Sequence, residues 1–298
     1  MQLFIKAAEV WQPDMASTEL QLVDGYYGGL SDFEAVSKEM SFPCGVGLPG
    51  ETWEKGRPLL WSDLTSDAFM RNQIARHSGI ACGLSIPIYA GDFLLAVVVL
   101  FAGRGSEVTG AVEVWDNESG SDAELRLAQG YYGELERFEW ISRRLSILRG
   151  RGLPGGAWAQ GKPLIIENLG DSNTFLRARN AAEAGITTGL AVPFIDRDRV
   201  RVVTFLSARG TPVMRRFEVW EVDDTGERLV FGSGHCESGT DLNEKYAQTH
   251  YTKGKDFLGE LWLTGRPLIR AGGEGTETGL WIPQIVAGRL SAVVGFIF

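Results

Sequence analysis

Gly47-Leu48-Pro49-Gly50, with Trp53 and then Gly56-Arg57-Pro58-Leu59 behind it, is written more than once in this chain. It returns as Gly152-Leu153-Pro154-Gly155, Trp158 and Gly161-Lys162-Pro163-Leu164, and in eroded form as Leu258-Gly259, Trp262 and Gly265-Arg266-Pro267-Leu268. Trp53, Trp158 and Trp262 are 105 and 104 residues apart. Solenoid units run about 20 to 50 residues, so a period of this size means tandem domains. The 298 residues divide into three copies, 1–105, 106–211 and 212–298, each near the lower end of what buries its own core.

Working outward, every copy opens on a short alternating run: Ala8-Glu9-Val10-Trp11, Val112-Glu113-Val114-Trp115 and Phe217-Glu218-Val219-Trp220. Apolar residues alternating with Glu predict a half-buried strand. A polar turn and a second run, beginning at Glu19, Glu124 and Arg228, complete a hairpin. Gly25-Tyr26-Tyr27-Gly28 and Gly130-Tyr131-Tyr132-Gly133 follow, replaced by Gly234-His235-Cys236-Glu237 in the third copy. Leu30, Phe33, Val36 and Met40, and Leu135, Phe138, Ile141, Leu145 and Leu148, recur at helical steps. Ser31 with Glu34 predicts a capping box at the first of these helices.

Past the Gly-Leu-Pro-Gly turn, Pro58-Leu59-Leu60-Trp61 and Pro163-Leu164-Ile165-Ile166 read as strands. Copies one and two then build a second helix, near 67–76 and 173–184, with Ser66 or Asp67 and Ser172 or Asn173 as N-caps and Phe69-x-Arg71 and Phe175-x-Arg177 in the first turn. Copy three lacks it. Pro58 to Pro87 is 29 residues and Pro163 to Pro193 is 30, but Pro267 to Pro283 is 16, and Ala271 to Glu277 has turn character. Each copy closes with a hairpin whose second strand, Phe93 to Phe101 in the first, is apolar throughout and reads as covered on both faces. The short linkers at 103–105 and 209–212 hold the copies close.

These pieces in this order resemble a GAF domain of the variant with a Gly-Leu-Pro-Gly turn. The resemblance covers copies one and two and, degraded, copy three. It implies an α+β fold, a central antiparallel sheet of about five or six strands with helices on its faces, and a function in binding: such domains hold small molecules between sheet and helices or mediate dimerisation. No bilin-attachment segment is recognisable, and the sequence names no cofactor. No kinase, cyclase or DNA-binding segment accompanies the repeats, so a signal would pass through a partner.

A net charge of -9, with basic and acidic residues mixed in every copy, disfavours nucleic acid. No apolar run reaches the 18 or so residues of a membrane span, and no leader is recognisable at Met1, so a cytoplasmic location is expected. Gly45-Val46-Gly47-Leu48-Pro49-Gly50 and Gly150-Arg151-Gly152-Leu153-Pro154-Gly155 match G-x-G-x-x-G, but a helix expected before and only a short turn after argue against a dinucleotide site. Gly156 to Lys162 imitates a phosphate loop with Pro163 in the Ser/Thr place.

The repeated tryptophans predict core packing. Trp61, Trp140 and Trp281, which break the repeat, and Tyr26, Tyr27, Tyr131 and Tyr132 are the candidate pocket walls, with Phe69, Phe175 and the anion-binding candidates Arg71 and Arg177 beside them; a surface Arg paired to a carboxylate is the plainer reading of both. Cys44, Cys82 and Cys236 are read as free thiols at unmatched positions, no copy holding two to cooperate, and no metal site is expected. The favoured function is a non-enzymatic small-molecule sensor or regulatory protein, with a protein partner or a homo-oligomer. The alternatives are an assembly unit with filled cavities and a thiol-dependent reductase resembling free methionine sulfoxide reductase. The third copy, lacking its second helix, is expected to expose an apolar sheet face.

Overall fold

The computed structural model describes residues 2–104, 109–117, 124–196, 199–272, 277–286 and 288–298. The first repeat runs β1 (Ile5–Pro13), β2 (Glu19–Tyr26), α1 (Ser31–Lys38), β3 (Ser41–Pro43), α2 (Gly47–Lys55), β4 (Leu59–Trp61), α3 (Asn72–His77), β5 (Ile80–Ala90) and β6 (Phe93–Gly103). The second runs β7 (Gly110–Asp116), β8 (Glu124–Tyr131), α4 (Glu136–Ser142), β9 (Ser146–Leu148), α5 (Gly152–Gln160), β10 (Leu164–Ile166), α6 (Ala178–Ala184), β11 (Ile186–Asp196) and β12 (Arg199–Ala208), with a 3₁₀ turn (Leu169–Asp171) before α6. The third runs β13 (Arg216–Val222), β14 (Arg228–Cys236), α7 (Leu242–Tyr246), β15 (His250–Thr252), α8 (Asp256–Thr264), β16 (Leu268–Arg270), β17 (Gly279–Val286) and β18 (Arg289–Ile297). Each repeat is a six-stranded antiparallel sheet with one strand order, β3-β2-β1-β6-β5-β4 in the first and its equivalents in the others.

Residues alternate between the faces of a strand, and here the two faces meet different neighbours. In β6, Val97, Val99 and Phe101 join the cluster under α1–α3 with Phe33, Leu48 and Phe69. Ala96, Val98, Leu100 and Ala102 point the other way, into a cluster shared by all three sheets, with Val112, Val203 and Phe205 of the second and Phe217, Val294 and Phe296 of the third. Among the described residues no helical one belongs to this central cluster. The helices therefore lie on one face of each sheet, and the other two sheets cover the opposite one. That is why β6 is apolar on both sides.

The seams repeat. Edge strand β4 lies against β8 of the second sheet, β10 against β14 of the third, and β16 against β2 of the first. One heterologous contact, used three times, closes the repeats into a ring. Polar ties cross each seam: Leu60 N–H donates to Gln129 Oε1 (3.0 Å), Gln284 Nε2 donates to the Pro193 carbonyl (2.7 Å), and Phe4 N–H donates to the Pro212 carbonyl (2.8 Å). Tyr26 stacks on Phe298, ring centres 3.9 Å apart.

The Gly-Leu-Pro-Gly motif is the first turn of α2 and α5, not a turn preceding a helix. A three-residue strand precedes it and a nine-residue helix opens at it, contrary to the context used against a dinucleotide site. That exclusion now rests on topology: β3 and β4 sit at opposite edges of an antiparallel sheet, not in a parallel βαβ unit. The last glycine of the motif has a steric cause. A Cβ at Gly50 would lie 2.2 Å from the Pro43 carbonyl oxygen, at Gly155 2.2 Å from that of Leu148, and at Gly259 2.0 Å from that of Thr252. The helix thus crosses the end of its edge strand at backbone contact, and this glycine survives even in the eroded copy. Gly50→Ala is expected to destabilise the protein by about 3 kcal/mol, the upper end of ordinary overpacking, read from the denaturant midpoint; an unchanged midpoint would refute the close approach.

Local corrections follow the same packing. Ser31 begins α1 without a capping hydrogen bond; Leu30 is the N-cap. The second helices are shorter than expected, their N-caps being Arg71 and Arg177 themselves, not the Ser, Asp or Asn residues upstream. Leu145 and Leu148 fall beyond α4, Leu148 on β9. The expected turn at Ala271 to Glu277, the linker residue Gly105 and the turn residue Ala287 lie partly or wholly outside the described residues.

Candidate functional site: a buried carboxylate cage

Glu9, Glu113 and Glu218 stand two residues before the repeated tryptophans, on the helix-facing side of β1, β7 and β13. They are 0%, 0% and 3% exposed. The alternation of Glu with apolar residues had predicted half-buried strands; β7 is buried along its whole length. A carboxylate there costs several kcal/mol unless paired, and each is caged. The tryptophan of the same strand donates its indole N–H at 2.9 Å in all three copies.

In the first copy, Tyr27 Oη donates to Glu9 Oε1 at 3.3 Å, and Arg71 donates to Oε1 at 2.5 Å and to Oε2 at 3.1 Å. Arg71 also donates to Ser37 Oγ and lies 4.6 Å from the Phe33 ring centre and 5.2 Å from that of Phe69. The second copy repeats this with Arg177, Ser142, Glu113 and Tyr132, the last donating at 2.8 Å, and gains Thr204 Oγ1 at 2.7 Å. Burial pushes the Glu113 carboxyl upward, but the charge and hydrogen bonds of Arg177, with those of Thr204 and Tyr132, outweigh it and hold the group below its ordinary value. Burial, reinforced by Glu9 in the first copy and Glu113 in the second, drives the Tyr27 and Tyr132 phenols well above theirs.

The sequence candidates divide accordingly. Tyr27, Phe69 and Arg71 meet at the first cage, with Trp61 against Phe69 at its margin, ring centres 6.5 Å apart. Tyr132, Phe175 and Arg177 meet at the second. Tyr26 and Tyr131, one residue earlier, point into the central cluster, and Tyr131 donates to the Gly103 carbonyl at 3.0 Å. Arg71 and Arg177 are paired to carboxylates, but in the interior, 3% and 2% exposed, and not at the surface. Glu9, Glu113, Ser37 and Ser142 were missed. The signal for the glutamates was an acid kept two residues before the same Trp in all three copies.

The third copy rebuilds the cage from other places. Cys236 stands where Tyr27 and Tyr132 stand, and Tyr246 of α7 supplies the phenol instead, donating to Glu218 Oε1 at 2.7 Å. With no second-helix arginine, Arg216 of β13, two residues before Glu218, pairs with it at 2.7 Å. Trp281 occupies the position of Ser85 and Ala191 and packs on Phe257, ring centres 4.9 Å apart. It is 7% exposed. The apolar face expected to be exposed is therefore filled from within the domain.

A GAF-domain family model matches residues 10–129. The match begins in the first repeat and runs into the second. With the same strand order in all three sheets, the architecture is that of tandem GAF-like repeats. Similar solved structures include the GAF domain/HD domain protein from Geobacter sulfurreducens, 17% identical over 33% of this chain and 64% of that one, TM-score 0.28. Another is reduced fRMsr of Staphylococcus aureus, 17% identical over 33% and 56%, TM-score 0.26. A third is the GAF domain of a phosphoenolpyruvate-protein phosphotransferase from Coxiella burnetii, 22% identical over 33% and 56%, TM-score 0.27. The match spans less than two thirds of each of those chains. Among curated proteins none matches the sequence.

Within the tandem GAF-like chain, Cys44 and Cys82 both belong to the first domain, which corrects the reading that no copy holds two cysteines. They do not share a surface: Cys44 is exposed beyond β3, whereas Cys82 is buried in the central cluster, where desolvation pushes its thiol far up. Among the described residues no cluster of three metal-ligating side chains occurs, and no helix is long and apolar enough to cross a membrane.

His235 ties the third domain to the second. Its Nδ1 lies 2.6 Å from Glu167 Oε1 of the second domain, and its Nε2 lies 3.4 Å from Thr188 Oγ1 and from Glu237 Oε1. Burial lowers the imidazole pKa, but the hydrogen bonds and charges of Glu237 and Glu167 outweigh it and leave it above 6.5. A raised folded pKa means the contribution is full below the ordinary value of 6.5 and is lost as pH rises through the folded one. Amide protection factors in β10 and β14, which divide out the intrinsic base-catalysed rate, are expected to fall as the pH rises past the His235 pKa, and His235→Gln to remove that fall; a variant with the wild-type profile would dissociate His235 from it.

Proposed function

We propose that this protein is a non-enzymatic regulatory protein acting through a protein partner, its three domains, bounded at 1–105, 106–211 and 212–298, forming one interaction scaffold with filled cavities. The observation that carries this over a small-molecule sensor is the cage. In domains one and two an Arg–Glu pair with its Tyr, Trp and Ser partners occupies the space between sheet and helices, and the third domain rebuilds the same filling with Arg216, Tyr246 and Trp281. A ligand entering there would strip a buried carboxylate of its counter-charge, which costs about 3–5 kcal/mol before any contact is gained. The scattered cysteines weigh against the thiol reductase.

Native mass spectrometry and the visible spectrum of the freshly purified chain test the proposal. The bare chain mass is expected. A retained small molecule that protects the amides of α4 and α6, over Glu113, would overturn it.

A further inference from the structure

The seam between the first two domains opens into a cleft of about 210 Å³, walled by Arg57 and Pro58 before β4, Val114 and Asp116 of β7, Ala128 and Gln129 of β8, and Arg201 of β12. Its polar groups are arranged unevenly. The one carboxylate, Asp116, has a side chain 2% exposed and is engaged by Arg201 Nε at 2.7 Å, with Arg57 Nη1 at 3.8 Å. The Gln129 carbonyl oxygen accepts from the Leu60 N–H, and its NH₂ carries two further donors at the cleft. A guanidinium carries five N–H donors. Among the described residues none of those of Arg57, and none on Arg201 apart from Nε, has a hydrogen-bond acceptor, although the two side chains are only 34% and 12% exposed.

The neighbouring seam shows that such an excess is not needed to hold two domains together. There, Lys162 takes the place of Arg57 and Glu221 that of Asp116, paired at 2.5 Å, while Ala292 stands across from Glu221 as Arg201 does from Asp116. That latch is one cation to one acid. The first seam has two cations to one acid, with donors left over and open space in front of them. Donor forks without acceptors are what an anion presenting two or more oxygens, a carboxylate or a phosphate, requires.

We propose that this cleft binds a small oxyanion, a carboxylate or a phosphate, between Arg57, Arg201 and the Gln129 amide. The volume admits a ligand of a few heavy atoms and not a nucleotide, since pockets for larger ligands run from about 300 Å³ upward. Because Arg57 comes from the first domain and the other two groups from the second, occupancy tightens that seam and places an input to the scaffold away from the filled cages.

The test is calorimetric titration of the full chain with sodium phosphate and, separately, sodium acetate, at constant ionic strength set with sodium chloride. Saturable binding of one anion per chain is expected for at least one of them, and which one binds separates the phosphate from the carboxylate source. Arg57→Gln removes a side chain that makes no hydrogen bond within the protein, so the fold is retained; affinity is expected to fall about tenfold, the loss of a charge-assisted hydrogen bond. Ala128→Leu, which fills the cleft without changing charge, should weaken binding as well. Absence of binding to both anions at 10 mM, or affinities unchanged in both variants, would overturn the proposal. An anion lost in Arg57→Gln that leaves α4 and α6 exchange unaltered belongs to the seam and leaves the filled-cavity reading intact.

Discussion

Arg177→Met is expected to destabilise the protein by about 3–5 kcal/mol, because it leaves Glu113 charged and dry. Glu113 is fully buried and Arg177 is 2% exposed, so no water is available to replace the guanidinium. The pH dependence supplies a second signature. In the wild type the Glu113 carboxyl is held below its ordinary 4.5, so its contribution is full above that value and is lost as the pH falls through the lowered folded value. Without Arg177 the desolvation already acting on Glu113 prevails and the folded pKa rises. Stability of the variant should then improve as the pH falls toward 4.5, opposite in sign to the parent. Glu113→Gln combined with Arg177→Met should recover a large part of the loss, since it removes the stranded charge. Urea unfolding of the three proteins between pH 4 and 8 decides it. A single variant within about 1 kcal/mol of wild type would mean that the cage is a surface ion pair in solution.

Phe296→Ala tests the centre. Phe296 is 1% exposed and meets Phe205 of the second domain at 5.1 Å and Phe217 of its own at 5.7 Å between ring centres. Truncating a buried Phe costs about 3–5 kcal/mol. The telling point is where the loss falls. The central cluster draws residues from all three sheets, so calorimetry should show one unfolding transition moving to lower temperature as a whole. If the domains were independent beads, a third-domain transition would move alone while the other two stayed in place.

The α+β class, the number of copies and most strands were legible because hydrophobic alternation and repetition are local properties. The strands missed, β3, β9, β15 and β16, are three residues long and each includes a polar residue or a Pro, whereas the equally short β4 and β10 are apolar throughout behind a Pro and could be read. The cage was half legible. Tyr27, Tyr132, Arg71 and Arg177 were picked out, but as pocket walls and surface charges. A single strand looks alike whether its Glu faces water or a guanidinium, and the pair Arg71–Glu9 joins residues 62 positions apart.

The third domain shows the boundary most clearly. Its missing helix could be counted from the 16 residues between Pro267 and Pro283, and the exposed face expected from that count was a fair local inference. Arg216, Tyr246 and Trp281 answer the loss from three separate elements, and only their meeting around Glu218 and Trp220 gives them that role. By itself, then, the sequence determined three like copies, the α+β class and the order of most elements along the chain, because period and alternation act within a few residues. The tertiary structure alone decided that the sheets share one core, that the cavities are filled by paired charges and that the seams differ in charge, because each depends on which side chains from distant segments reach one another out of water.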